Sequence, residues 1–131
     1  MNLITKVAVD AGSIAIGTQS GKILIFDKKG MRLKEAFEAH SRKVTDIWMQ
    51  HNKAIVSTSH DMKIKIKALA SADFDDQTIE IEGYQEELQC LAVIDNQCAP
   101  ANLNCFVGTM EGRLLLFTRN WFRGKIEALH N

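Results

Sequence analysis

Residues 14–27 read Ile-Ala-Ile-Gly-Thr-Gln-Ser-Gly-Lys-Ile-Leu-Ile-Phe-Asp, and this stretch decides the fold. An apolar run ends at a short polar turn, and a second, alternating apolar run follows the turn. Alternation with a period of two puts successive side chains on opposite faces of a strand. Gly21 can take the positive φ that a tight turn demands. The stretch therefore predicts two antiparallel strands joined as a β-hairpin.

The same pattern returns twice, at residues 55–66 and 106–117. The turns begin at Thr18, Ser59 and Thr109, so the repeats are 41 and then 50 residues apart. Tandem units of about 40–45 residues built from short strands are typical of β-propeller blades. We predict an all-β fold, a partial β-propeller of about three four-stranded blades. It would form a single incomplete domain over 1–131, with blade-like units at about 1–37, 38–82 and 83–131.

Shorter apolar runs supply the remaining strands of each unit. The run at 31–37 contains good helix formers, but seven residues between two strand patterns favour an outer strand of the blade. In the run at 63–67, lysines alternate with two isoleucines, as a half-buried strand requires. The other predicted strands are 3–9, 44–49, 78–82, 88–94 and 125–129.

Composition excludes several classes of protein. The chain has 131 residues, 46% of them hydrophobic, which is enough for one ordinary core. Sixteen basic and sixteen acidic residues give no net charge, so no global field favours nucleic acid or an anionic membrane. Cys90, Cys98 and Cys105 lack a Cys-x-x-Cys spacing and are interpreted as free thiols in a reducing compartment. No apolar stretch approaches the ~18 residues of a membrane span, and we expect a cytosolic protein.

The patterns that carry catalysis or metal binding are weak in this sequence. The histidines lack the short spacing of a zinc site, and convergence of His51, His60 and Cys90 in space is the remaining alternative. The glycines lack the Gly-Lys-Ser/Thr ending of a phosphate loop. There is no Gly-x-Ser-x-Gly elbow and no Cys and His pairing. We predict a protein that is not an enzyme and has no cofactor or metal.

The second unit resembles a WD repeat. In that family a His before the blade, a Ser or Thr on its second strand, an Asp in the next turn and a Trp on the third strand share hydrogen bonds. His40, Ser57 and Asp61 occupy the first three positions, and the resemblance implies that they form a structural hydrogen-bond network. The Trp position holds Ile66 or Lys67, so the network is partial. The resemblance makes the predicted fold a WD-repeat-type propeller.

A second resemblance covers most of the chain. It rests on Ile14-Ala15-Ile16-Gly17-Thr18, Glu38-Ala39-His40 with Val44-Thr45, the Ser57–Asp61 run, Leu114-Leu115-Leu116-Phe117, Asn120-Trp121-Phe122 and Leu129-His130. In order and spacing these blocks are similar to the amino-terminal propeller of the vacuolar protein sorting-associated protein 41 family. Family members have a whole propeller and a long helical solenoid. We therefore expect a fragment, a truncated paralogue or a chain that self-associates through open propeller edges.

That resemblance implies a non-enzymatic interaction module of the HOPS membrane-tethering complex, in vesicle-mediated transport from late endosome to vacuole or lysosome. The implied partners are other HOPS subunits, a Rab-type GTPase or a coat adaptor, with peripheral attachment to those membranes through the complex. The degenerate repeats alone also allow a generic WD-repeat scaffold, for example a ubiquitin-ligase receptor. An RNA-binding or hydrolytic propeller is a third alternative, and nucleic acid is not expected.

Two surface features have open interpretations. Trp121 and Phe122, flanked by Arg119 and Arg123, are predicted to contact a partner or a membrane interface, and inter-blade packing is the alternative. A basic run is interpreted as a solvated face, with an anionic partner as the alternative. Its members are Lys28, Lys29, Arg32, Lys34, Arg42 and Lys43.

Overall fold

The computed structural model describes residues 2–50, 53–69, 75–80, 85–94, 104–118 and 125–130. The regular structure within these ranges is β-strand. The strands are β1 (Ile4–Val9), β2 (Ser13–Thr18), β3 (Lys22–Asp27), β4 (Arg32–Glu38), β5 (Val44–Gln50), β6 (Ala54–Ser59), β7 (Lys63–Ala68), β8 (Gln77–Glu80), β9 (Leu88–Ile94), β10 (Asn104–Thr109), β11 (Leu114–Thr118) and β12 (Lys125–His130). The described residues include no helix long and apolar enough to cross a membrane.

The strands form three antiparallel sheets of four consecutive strands each. The first sheet has the order β1-β2-β3-β4, the second β5-β6-β7-β8 and the third β9-β10-β11-β12. All three predicted hairpins are confirmed, with Ile16 opposite Leu24, Val56 opposite Ile66 and Phe106 opposite Leu116. The predicted all-β fold of four-stranded sheets is thus correct.

The segments with the weakest strand patterns in the sequence also form strands. The run at 31–37 lies in β4, which extends to Glu38 and so passes the predicted end of the first unit by one residue. The closing run at 125–129 lies in β12. Of the strand predicted at 78–82, residues 78–80 belong to β8, and 81 and 82 lie outside the described residues. β4 is strand despite its helix propensity because it pairs along β3, a tertiary effect that outweighs local preference.

The core lies between the sheets, in two layers. We call the face that a sheet turns toward the next sheet its forward face, and the opposite face its backward face. The forward face of the first sheet packs on the backward face of the second through Ala15, Ile23, Ile25, Ala39, Val44, Ile47 and Ile55. The second sheet packs on the third through Ala54, Val56, Ile64, Ile66, Leu88, Cys105, Val107 and Leu115.

The second sheet is therefore covered on both faces. Every residue of β6 is buried, which explains why Ala54-Ile55-Val56 is a continuous apolar run and does not alternate. In β7 the prediction from alternation is correct, since Ile64 and Ile66 are buried and the intervening lysines are partly exposed. Neither Cys90 nor Cys105 forms a disulfide, and Cys98 lies outside the described residues.

Candidate functional site

The candidate site is built around Asp61, in the turn that joins β6 to β7. Its Oδ1 accepts a hydrogen bond from the backbone N–H of Lys63 at 3.0 Å, and its Oδ2 accepts one from Ser41 N–H at 3.1 Å. The N–H of Asp61 itself donates to Ser59 Oγ at 3.0 Å. Asp is favoured in turns because its carboxylate can satisfy nearby backbone donors in this way.

His40 comes to this turn from the loop between β4 and β5, and the first sheet positions its backbone. The N–H groups of Ala39 and His40 donate to the carbonyl oxygen of Gly21 at 3.1 and 2.9 Å. Gly21 has a φ of 93°, and a Cβ there would collide with the carbonyl oxygen of His40. Only glycine fits this contact. The turn of the first hairpin therefore positions His40, which hydrogen-bonds to the turn of the second hairpin.

The three residues predicted from the sequence lie together in the structure. His40 Nδ1 is 3.0 Å from Asp61 Oδ2 and 3.1 Å from Oδ1, and His40 Nε2 is 2.9 Å from Ser57 Oγ. All are buried, with exposed fractions of 6% for His40, 8% for Asp61 and 1% for Ser57. Because a carboxylate only accepts, Nδ1 donates to Asp61, and in the neutral ring Nε2 accepts from the Ser57 hydroxyl. The network joins a loop, a central strand and a turn.

The surroundings of Asp61 stabilise its ionised form. Burial by itself would raise the pKa of the carboxyl. The hydrogen bond and electrostatic attraction of His40, together with the N–H groups of Ser41 and Lys63, outweigh burial and lower the pKa below 3.8. Asp61 is therefore a charged acceptor at neutral pH and a poor source of protons.

The order of contacts, Ser to His to Asp, is also that of a hydrolytic triad. In a triad the serine oxygen faces a site where a substrate carbonyl can approach within about 3 Å. Ser57 is instead in the middle of β6, covered by sheets on both sides, and is 1% exposed. A substrate could reach its Oγ only if the sheets separated. The arrangement suits a buried structural network.

Neither residue at the Trp position of the WD pattern joins this network as a Trp would. Ile66 is fully buried and packs in the apolar core. Lys67 points to the outer strands, where its Nζ lies 3.1 Å from Asp76 Oδ2 and 3.4 Å from Glu35 Oε1. Two ion pairs therefore lie at the outer edge of the second sheet, and the one with Glu35 links this edge to the first sheet.

The sequence interpretation missed a second polar link, at Asp46. Its Oδ1 lies 3.1 Å from Lys6 Nζ and accepts a hydrogen bond from Ile47 N–H at 2.9 Å. Its Oδ2 accepts a hydrogen bond from Leu91 N–H at 2.8 Å. Lys6, Asp46 and Leu91 lie on β1, β5 and β9, so one carboxylate connects all three sheets. The signal in the sequence was an acid directly before the apolar run Ile47-Trp48-Met49 of a strand.

The turns β2–β3, β6–β7 and β10–β11 form a rim at one end of the sheets. The same backbone hydrogen bond supports each turn, from Gln19, His60 and Met110 to the carbonyls of Leu3, Lys43 and Glu87 at 2.8, 3.1 and 2.9 Å. This shared bond makes the rim a regular surface.

Polar side chains add contacts between the second and third sheets at this rim. Arg42 Nη1 lies 3.1 Å from Glu87 Oε1 and 3.2 Å from the carbonyl oxygen of His60. Arg42 is half-exposed, so this pair adds little stability and remains accessible to a partner.

The basic run is divided between two ends of the first sheet. Lys28 and Lys29 lie at the turn between β3 and β4, Arg32 and Lys34 lie in β4, and Arg42 and Lys43 follow β4. The seven residues of β4, roughly 23 Å long at about 3.3 Å per residue, separate the turn lysines from Arg42 and Lys43. The run does not form one cationic patch.

Some predicted positions fall outside the described residues. These are Arg119, Trp121, Phe122 and Arg123, whose predicted partner contact stays a prediction, and His51 of the alternative metal site. Among the residues that the structure does describe, no group of three or more His, Cys, Asp or Glu side chains could hold a metal ion.

Comparisons by sequence identify one family. Residues 1–130 match the family model described as "Vps42 beta-propeller" (Beta-prop_Vps41). A vacuolar protein sorting-associated protein 41 homolog of Arabidopsis thaliana is 29% identical over 126 residues, and a homolog of Solanum lycopersicum is 28% identical over 128 residues. The matches cover 95% and 97% of this chain, but 12% and 13% of those relatives, so the chain spans about an eighth of their length.

Comparisons by structure identify the fold. The Cps50 (Swd1) β-propeller domain of Myceliophteria thermophila aligns with a TM-score of 0.76 at 13% identity, over 99% of this chain and 44% of that one. The WD40 repeats of RRP9 align with a TM-score of 0.71 at 18% identity, over 92% and 35% of the two chains. The designed protein Ika8 aligns with a TM-score of 0.73 at 20% identity, over 95% and 36%. The three sheets are thus propeller blades, as predicted.

Proposed function

The chain belongs to the Vps41 β-propeller family, and we propose on that basis that it is a non-enzymatic interaction module in vesicle-mediated transport. The observation that carries the proposal is the family match over residues 1–130. Homologues of the same family are named for vacuolar protein sorting. The proposed setting is the HOPS tethering complex, peripheral on the membrane of the late endosome, vacuole or lysosome.

In this function the chain performs no covalent step. It binds other subunits of the tether, a Rab-type GTPase or a coat adaptor, and several weak contacts act together because they are linked in one assembly. Repeated blades suit this task, since turns of similar geometry lie side by side and form an extended surface.

The rim of the β2–β3, β6–β7 and β10–β11 turns is the surface that we assign to partner binding. Its backbone is held by the same hydrogen bond in each sheet, so a partner would meet a preformed surface and pay little ordering entropy. Met110 is an exposed apolar side chain at this rim, beside the exposed Glu111. An apolar group among charged neighbours is a common composition for a protein contact.

The test is recovery of the tagged chain from its own cells at moderate salt, followed by mass spectrometry of the proteins that copurify. Two variants accompany the wild type: Met110→Glu at the rim, and Lys28→Glu at the opposite end of the first sheet as a matched control. We expect the wild type and Lys28→Glu to recover HOPS subunits or a Rab-type GTPase, and Met110→Glu to recover several-fold less.

The outcomes distinguish the tethering role from the assignment of partner binding to the rim. Recovery of a ubiquitin ligase, of a ribonucleoprotein or of no specific protein by the wild type would contradict the tethering role. Equal recovery of HOPS subunits by both variants would retain the tethering role and contradict its assignment to the rim.

A further inference from the structure

The rim has two junctions, one between each pair of neighbouring sheets. The first junction lies between the β2–β3 and β6–β7 turns, and the second lies between the β6–β7 and β10–β11 turns. Their residues can be matched through the backbone hydrogen bond that supports each turn. Its donors are Gln19, His60 and Met110, and its acceptors are the carbonyls of Leu3, Lys43 and Glu87. The two junctions can therefore be compared position by position.

A guanidinium and a carboxylate meet at the second junction. Arg42 Nη1 lies 3.1 Å from Glu87 Oε1, and it also donates to the carbonyl oxygen of His60 at 3.2 Å. Asn2 is the residue equivalent to Arg42, one position before the supporting carbonyl of its own sheet. Its side chain exchanges hydrogen bonds with Ser20 in the β2–β3 turn, at 2.8 and 3.3 Å. Arg42 thus reaches across a junction, whereas Asn2 binds within its own sheet.

These contacts use one part of the Arg42 guanidinium. Within the described residues they are made by Nη1, which leaves Nε and Nη2 as donors along the other edge. The side chains of Arg42 and Glu87 are 54% and 36% exposed. Two parallel N–H donors on a planar, permanently charged group match the two oxygens of a carboxylate. Arg42 can therefore hold Glu87 and a second carboxylate at the same time.

An apolar residue is bonded through its backbone to the same pair. The N–H of Met110 donates to the carbonyl oxygen of Glu87 at 2.9 Å, and the Met110 side chain is 54% exposed. The equivalent residue at the first junction is His60, which is polar. The second junction therefore combines a cationic donor edge with an exposed apolar side chain.

The charges around the second junction determine which anion fits it. Glu87 lies beside the guanidinium, and Glu111 is an exposed carboxylate in the adjoining turn. These two carboxylates would repel a phosphate dianion more strongly than a singly charged carboxylate, which one guanidinium can neutralise. The zero net charge of the chain also favours neither a nucleic acid nor an anionic membrane as the ligand. The anion that fits best is a carboxylate of a protein.

We propose that the second junction binds a segment of a partner protein in which an acidic residue is next to a large apolar residue. The partner's carboxylate binds the Nε and Nη2 edge of Arg42, and its apolar side chain packs on Met110. The proposal rests on the assignment of partner binding to the rim, and it specifies what the rim recognises. A charge-assisted hydrogen bond beside an apolar contact gives such a small site its specificity.

The probe is a phage-displayed library of random short peptides, selected on the purified chain. We expect the selected peptides to share Asp or Glu beside Leu, Ile, Met or Phe. One selected peptide is then labelled with a fluorophore and titrated with the chain by fluorescence anisotropy. Arg42→Gln should raise the Kd about tenfold, because it removes hydrogen bonds to a charged group. Lys29→Gln, an exposed position in the β3–β4 turn, is the matched control and should leave the Kd unchanged.

Glu87→Gln distinguishes recognition from a purely structural ion pair. It removes the carboxylate that competes for Arg42, so it should lower the Kd. If the pair only held the two turns together, Glu87→Gln and Arg42→Gln would weaken binding equally. Because an exposed pair adds little stability, both variants should fold, and circular dichroism verifies this.

Several results would overturn the proposal. These are a selection that yields no peptides or peptides without an acidic residue, a Kd unaffected by Arg42→Gln, and a Kd raised by Glu87→Gln. Tighter binding when phosphoserine replaces the acidic residue of the peptide would also overturn it, in favour of a phosphate ligand. The assay contains no tether subunit, so its failure would leave the tethering role in place. Recovery of a different complex from cells would contradict the tethering role and leave the peptide result in place.

Discussion

The three hairpin turns provide an acceptor for the same backbone N–H in two different ways. The first and third turns share one way, and the second turn uses another. Each turn must satisfy a backbone N–H at or directly before the start of the following strand, at Lys22, Lys63 and Arg113. In the first and third hairpins a threonine hydroxyl accepts that bond, Thr18 at 3.0 Å and Thr109 at 3.1 Å. In the second hairpin the acceptor is the carboxylate of Asp61 at 3.0 Å.

The backbone conformation also sets the second turn apart from the first and third. Gly21 and Gly112 take the left-handed conformation in the first and third turns, with φ of 93° and 84°. The second turn has Met62 there, at a φ of 69°, which is strained for a residue with a side chain. All three turns have a local cap, and the second is in addition held through Asp61 by His40, 21 residues away. The comparison teaches that a turn without glycine at its left-handed position can be supported by a long-range network.

The largest effect is expected from Asp61→Ala. It removes the acceptor of two backbone donors and of His40 Nδ1–H, so we expect a loss of about 3–5 kcal/mol in the free energy of unfolding, at about 1–3 kcal/mol for each buried donor left unpaired. The control is Glu111→Ala at the equivalent position of the third turn, where an exposed side chain should change stability by less than about 0.5 kcal/mol. Urea denaturation of both variants measures the difference. Equal effects at the two positions would contradict the comparison.

His40→Ala should have a smaller effect, about 1–3 kcal/mol. Asp61 would still accept hydrogen bonds from Ser41 and Lys63, so its charge is not left entirely without donors. The control is Lys29→Ala in the β3–β4 turn, an exposed side chain whose removal should leave stability within about 0.5 kcal/mol of the wild type. An unchanged melting midpoint for His40→Ala would reject the structural role of the network.

The dependence of stability on pH sharpens the comparison further. The pKa of Asp61 is lower in the folded chain than its ordinary value of 3.8, so the unfolded chain binds the proton more readily. This contribution is present above pH 3.8 and is lost as the pH falls through the folded pKa. The melting midpoint of the wild type should exceed that of Asp61→Asn above pH 3.8. Thermal melts at lower pH should show this difference becoming smaller. A gap that stays constant or widens there would refute the assignment.

The smallest effect is expected from Met62→Gly. Glycine relieves the cost of the left-handed backbone, roughly 1–2 kcal/mol, against an entropic cost of about 0.5–1 kcal/mol. The net gain is about 0.5 kcal/mol, seen as a small rise in the midpoint of urea unfolding. The control Met110→Gly, whose φ is not positive, should give no rise. A midpoint lowered by Met62→Gly would show that the second turn is not strained.

Much of the fold was accessible from the sequence because the hairpins are marked by period-two alternation and by turn residues. β4 was the hardest strand to predict, since Arg32–Glu38 is exposed except for partial burial at Phe37 and so has no apolar face. Its pairing with β3, which local propensity does not encode, decides its structure.

Only part of the site could be predicted from the sequence. His40, Ser57 and Asp61 were identified through the WD resemblance, because their spacing of 17 and 21 residues has no local meaning. Asp46 could not be predicted, since its partners Lys6 and Leu91 are on other sheets and meet only when the sheets pack. The positive φ of Met62 was hidden as well, because a methionine gives no sign of a left-handed turn.

The central claim of the comparison is that the second turn depends energetically on His40 through Asp61. A double-mutant cycle with His40→Ala, Asp61→Ala and the double variant, each measured by urea unfolding, tests it most directly. We predict that the double variant is less destabilised than the sum of the single variants by about 1–3 kcal/mol. Additivity within about 0.3 kcal/mol would contradict the claim, because it would mean that the two buried side chains stabilise the fold independently.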